Sequence, residues 1–72
     1  MHSIDCRGLK CPIPILKVRL KLNKMNSGEQ LSILADDQDF EKDFLRFCFQ
    51  ADIILNTKED FDGYQKYEVT AK

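Results

Sequence analysis

Apolar and polar positions alternate from the start of the chain. Ile4 and Cys6 fall on one face of an extended segment and Ser3 and Asp5 on the other, which predicts a first strand over residues 1–6. Arg7-Gly8-Leu9-Lys10 breaks the alternation and reads as a loop, with Gly8 free to adopt backbone angles that other residues resist. The next segment carries two periods at once. Leu16, Val18, Leu20 and Leu22 alternate with Lys17, Arg19 and Lys21 as in a strand, yet Ile15, Val18, Leu22 and Met25 recur at helical spacing. Three features decide for a helix. The segment runs about 14 residues where strands run about 5–6. It opens on proline and closes on Asn26-Ser27-Gly28. Its basic residues gather toward the end, where the helix dipole favours them. The pattern therefore predicts a helix from Pro12 to about Met25.

Glu29 to Ala35 predicts a second strand, with Leu31, Ile33 and Ala35 on one face and Leu34 on the other. Asp37 is placed to cap a second helix, whose core stripe is Phe40, Phe44, Phe47, Cys48 and Ala51. Ile53–Thr57 and Tyr64–Thr70 predict two further strands, joined at Phe61-Asp62-Gly63 in a hairpin. The order is βαβαββ. Two helices on one face of a four-stranded mixed sheet make a two-layer α/β (α+β) sandwich. No internal repeat interrupts it, and residues 1–72 read as a single domain.

Composition narrows the function. A chain of 72 residues buries only about 60% of the surface it exposes when unfolded, so its core is modest and any chemistry should sit near the surface, walled by a partner. A net charge of −1 argues against nucleic acid, which demands a basic face. Lys10, Lys17, Arg19, Lys21 and Lys24 cluster apart from the acidic stretch Asp36–Asp43, a polarity read as two solvated faces. The start MHSIDCRG carries no export signal and no apolar run reaches membrane-spanning length, so a cytoplasmic, monomeric protein is expected. In that reducing compartment Cys6, Cys11 and Cys48 are expected as free thiols.

The reactive candidate is Cys11, in Cys11-Pro12-Ile13-Pro14. The first N–H groups of a helix lack internal partners, so Pro12 and Pro14 near a helix start sacrifice little. Pro12 also keeps Cys11 out of the helix, at its mouth. The positive end of the dipole, with Arg7, Lys10 and Lys17 in support, is expected to lower the thiol pKa from its free value of about 8.5. Cys6, on the Ile4 face, and Cys48, on the phenylalanine stripe, are expected to be inert core; Cys6 resolving an oxidised Cys11 would be a minor path. His2, the only histidine, lies at the terminus and is not expected to act as a base. Cys6-x4-Cys11 lacks zinc-site spacing, and Asp36 and Asp37 are read as capping residues rather than acid/base or cation-binding groups. No metal, phosphate loop or cofactor is expected.

The run Asp5-Cys6-Arg7-Gly8-Leu9-Lys10-Cys11-Pro12-Ile13-Pro14 resembles the signature of the TusA-like (SirA-like) sulfur-carrier family, D-x-R-G-L-x-C-P-x-P. Ala35-Asp36-Asp37 and Phe47-Cys48 resemble it too, so the likeness spans nearly the whole chain. The resemblance implies a βαβαββ sandwich in which Cys11 accepts sulfur as a persulfide. The donor it implies is a cysteine desulfurase or rhodanese-like protein, and the sulfur passes to an acceptor protein in tRNA thiolation, molybdenum-cofactor assembly or sulfur oxidation. Only Cys11 carries over as the sulfur-bearing residue. Ile13 is a departure, since some relatives hold an acidic residue there. Ile13, Leu16 and Leu20 form a second apolar arc on the helix, either exposed to dock a partner or packed within the fold. Two other functions stay open: a non-covalent interaction module in which Cys11 is dispensable, and a thiol sulfurtransferase acting on a small sulfur compound.

Overall fold

A computed structural model describes residues 2–71. Six elements follow in order: β1 (His2–Asp5), α1 (Ile13–Asn23), β2 (Gln30–Ala35), α2 (Phe40–Ala51), β3 (Ile54–Phe61) and β4 (Tyr64–Thr70). The sheet is mixed, in the order β1-β2-β4-β3. β1 runs parallel to β2 through the α1 crossover, whereas β4 is antiparallel to both β2 and β3. This is the two-layer βαβαββ sandwich that the hydrophobic pattern predicts.

Alternation along the strands sends Leu31, Ile33 and Ala35 of β2, with Tyr67 and Val69 of β4, to the face that the helices cover. Val18 and Leu22 of α1 and Phe40, Phe44 and Cys48 of α2 close over them. At the centre the Phe40 and Phe44 rings stack at 4.9 Å, and each lies 5.3 Å from the Tyr67 ring. Such aromatic contacts add to the burial of the rings themselves. Register pairs such as Ser32↔Glu68 and Leu34↔Lys66 make the other face of the sheet largely polar.

Several boundaries differ from the sequence pattern: β1 ends at Asp5, β2 starts at Gln30 and β3 at Ile54, while residue 1 of the predicted first strand lies outside the described residues. α1 starts at Ile13 with Pro12 as its N-cap, and ends at Asn23; Met25 lies beyond the helix yet still packs on the core. α2 starts at Phe40 after Asp39, not at an Asp37 cap, because the Asp37 carboxylate is engaged elsewhere and only its carbonyl accepts the Phe40 N–H. Ala51, assigned to the core stripe, is exposed, since the helix ends there and Asp52 turns left-handed at φ 62°. β3 extends through Asn56–Asp60 to Phe61. Its polar outer half carries no apolar alternation to read; pairing with β4 alone makes it a strand, with a bulge between Leu55 and Thr57.

The parallel pairing positions the site. Chains leave β1 and β2 at the same edge of the sheet, so α1 and α2 both begin there. The acidic connection into α2 thus faces the loop that carries Cys11.

Candidate functional site

The loop after β1 is tied down at each step. The Cys6 N–H donates to the Leu34 carbonyl at 2.7 Å, and the Cys6 side chain is fully buried. Arg7 turns back on Asp5: its Nε and Nη2 donate to the two carboxylate oxygens at 3.0 and 2.9 Å, and its own N–H donates to Oδ1 at 3.0 Å. This fork holds the Asp5 carboxyl down at about 2. Arg7 also lies 5.0 Å over the Tyr64 ring. Gly8 follows with φ +83°, a left-handed angle that favours glycine, and its N–H donates to both Asp36 carboxylate oxygens at 3.0 and 3.1 Å. At the end of the loop the Cys11 N–H donates to Asp37 Oδ2 at 3.3 Å. Asp36 and Asp37 therefore cap the cysteine loop across the sheet edge rather than their own helix.

Cys11 is half-buried at the mouth of α1, joined to Pro12 by a cis peptide bond; Cys6 and Cys48 are buried. Pro14 occupies the first turn of α1 and is itself buried. Between Gly8, Lys10 and Asp36–Asp39 lies an open depression of about 540 Å³. Thiol access is thus restricted to one of the three cysteines.

The electrostatics overturn the expected activation. The Cys11 thiol is pushed up to about 11, first by partial burial, then by a hydrogen bond to Asp43, then by the charges of Asp43, Asp37 and Asp39. Its sulfur lies 4.0 Å from the Asp39 carbonyl oxygen, at the start of α2. Arg7, expected to support a thiolate, is paired with Asp5. Lys10 is exposed and contributes its carbonyl to the turn, accepting the Ile13 N–H at 2.9 Å. Lys17 acts on Cys6 instead, where it opposes a rise caused by burial. Burial and the neighbouring carboxylates both favour the neutral thiol, against the thiolate that a helix dipole alone would favour.

Asp43 is the group that residue-by-residue reading missed. Its signal was present in the topology: once β1 and β2 are parallel, the first turn of α2, with Glu41 and Asp43, must adjoin the start of α1. The apolar arc on α1 is exposed, with Ile13 at 47%, Leu16 at 49% and Leu20 at 62% of their full areas. Among the described residues no three His, Cys, Asp or Glu side chains converge as metal ligands, and no helix is long and apolar enough to cross a membrane.

Comparison with known proteins follows the same lines. Residues 2–71 match the family described as sulfurtransferase TusA. Two relatives from Neisseria meningitidis, of serogroups A and B, are provisionally named sulfur carrier proteins; each is 39% identical over 62 residues, covering 86% of this chain and 84% of theirs. A crystal structure of a SirA-like protein from Desulfitobacterium hafniense superposes with a TM-score of 0.86 at 21% identity, over 99% of this chain and 97% of that one. At that identity the likeness speaks for the fold.

Proposed function

The chain belongs to the TusA family, and from that premise we propose that it is a sulfur carrier that holds sulfur as a persulfide on Cys11. The observation that carries this reading is the singular placement of Cys11. It is the only cysteine of the three outside the core, on a loop whose backbone is held by Asp36 and Asp37. Arg7, Pro12 and Pro14 support it by shaping that loop and the helix start; Lys10 borders the approach.

The step balances without an external oxidant. Cys11 sulfur attacks the terminal sulfur of a donor persulfide, R–S–SH; the new S–S bond forms as the donor's S–S bond breaks. The donor sulfur leaves with the electron pair and takes up the proton that Cys11 gives up, yielding Cys11–S–SH and R–SH. The reverse attack, by an acceptor thiolate on the outer sulfur, delivers it. With the thiol near 11, only about 10⁻⁴ of Cys11 is thiolate at pH 7. Attack therefore depends on docking: a partner that brings positive charge to Asp37, Asp39 and Asp43 lowers the thiol pKa at the moment of transfer. The donor is a cysteine desulfurase or rhodanese-like protein and the acceptor a protein of tRNA thiolation or other sulfur metabolism. Ile13, Leu16 and Leu20 supply an apolar docking face beside the thiol.

The raised thiol pKa is also the one observation that favours a non-covalent interaction module. Mass spectrometry separates the two. After incubation with a cysteine desulfurase and cysteine, a carrier gains one sulfur atom, loses it on reduction, and gains none as Cys11→Ser. If no adduct forms, while partner binding survives the same substitution, the carrier function is excluded.

A further inference from the structure

The two helices leave a trough between them that begins at Pro12, the residue after Cys11. At its near end Pro12, Ile15 and Phe47 border a cleft of about 210 Å³; further along it opens over Leu22 and Ile53 into a cavity of about 440 Å³. Arg19, Phe47 and Gln50 border both parts, so the two lie side by side along the seam between the helices. Its floor is apolar and its rim is cationic. The Arg19 guanidinium lies 5.6 Å over the Phe47 ring, and Arg46 lines the smaller cleft from α2. Among the described residues neither guanidinium is within ion-pair distance of a carboxylate. A guanidinium stacked on a ring keeps its planar N–H fork free along the edge, the geometry that accepts a carboxylate with two hydrogen bonds.

We infer that this trough receives an extended acidic segment of the protein that exchanges sulfur with Cys11. The identity of that partner rests on the carrier reading; the chemistry of the segment does not. Acidic side chains meet Arg19 and Arg46, and apolar side chains alternating with them fill the space over Phe47, Leu22 and Ile53. α1 spans about 16 Å at 1.5 Å per residue, which an extended chain covers in about five residues. Asp43 stands at the Pro12 end of the trough and repels acid there, so the acidic side chains are drawn along it, away from the thiol. A small oxyanion would satisfy the guanidiniums but leave the apolar floor wet. A purely apolar segment would bury two cations unpaired.

The test is a titration of the ¹⁵N-labelled full chain with a blocked five-residue peptide alternating leucine and glutamate, followed by backbone amide shifts. Saturable shifts centred on Arg19, Phe47 and Gln50 are expected, weakening as salt rises. Arg46→Ser should weaken binding about threefold to fivefold, the scale of one exposed ion pair, and Arg46→Glu further. Arg46 is exposed, so both variants should fold, and circular dichroism checks that they do. Several results overturn the inference: equal binding of a control peptide with lysine in place of each glutamate, equal binding to Arg46→Glu, or no shifts at about 1 mM peptide, the weak limit of useful affinity. Thiosulfate saturating the same amides and displacing the peptide would reassign the trough to a small anion. Self-association burying the trough at rising protein concentration would reassign it to a second copy. Sulfur loading of Cys11, read separately by mass, keeps the two readings apart: peptide binding without loading sinks the carrier and supports the trough, and loading without peptide binding sinks the trough alone.

Discussion

Cys48 and Cys11 each hold a thiol pushed up to about 11, and they do so in opposite surroundings. Around Cys48 the cause is burial alone: it lies on α2 beneath the helix layer, next to the Phe44 and Tyr67 packing. Around Cys11 burial is partial, and three carboxylates of the α2 start add to it. No partner can relieve the first without unfolding the core. The second is in part electrostatic and lies at the surface, where a docked cation would offset the share that the carboxylates contribute. Two thiols raised alike thus differ in cause, and the proposed carrier chemistry calls for the one whose surroundings a partner can change.

The largest effect expected is all-or-none. Cys11→Ser should abolish sulfur loading in the mass assay, whereas Cys48→Ala should load fully; loading on Cys48 would erase the distinction. Next comes the core side. Phe44→Ala should cost about 3–5 kcal/mol in chemical denaturation, enough to unfold much of so small a domain and to expose Cys48 to alkylation. If Cys48 stays protected in that variant, its inertness does not come from the aromatic packing. On the Cys11 side, alkylation by iodoacetamide should accelerate about tenfold per pH unit from 7 to 10, with its midpoint near 11 and a plateau only above that, because the thiolate is the reactive form. Asp43→Asn should move that midpoint down and raise the rate at pH 7 by about tenfold, one unit of pKa. A midpoint already near 8.5 in the native protein would show that the carboxylates do not govern the thiol. The same shift sets a stability trend: a thiol raised on folding favours the fold below the unfolded pKa, and that contribution is lost as pH rises from about 8.5 through 11. Smallest is Arg7→Ala, which should leave the alkylation midpoint where it is, since its guanidinium serves Asp5 and Tyr64; a rise in midpoint would restore Arg7 as a direct electrostatic partner of Cys11.

Much of this molecule was legible in residue order. Length, proline and the Asn26-Ser27-Gly28 stop outweighed the strand-like alternation of Leu16–Leu22, and α1 is indeed a helix. The stripe Phe40, Phe44, Cys48 placed the core of α2. Cys11 at a helix mouth followed from the prolines. What escaped was pairwise and long-range. Asp37 has the chemistry of a helix cap, and nothing local reveals that its carboxylate reaches back to Cys11 across 26 positions. Arg7 stands four residues before Cys11 yet folds onto Asp5, because a two-residue turn brings their side chains together sooner. The outer half of β3 has no apolar rhythm, since it is an edge strand whose formation depends on β4.

The chain by itself determined which residues are apolar, where helices can start and stop, and which cysteine lies outside an apolar stripe, because these depend on spacing and on the chemistry of near neighbours. Only the tertiary structure decided the charge around the thiol. The parallel pairing of β1 with β2 sets two helix starts side by side and thereby brings Asp37, Asp39 and Asp43 to Cys11. Coulomb interactions act through space rather than along the chain, so their sign at the sulfur was settled by which strand edges meet.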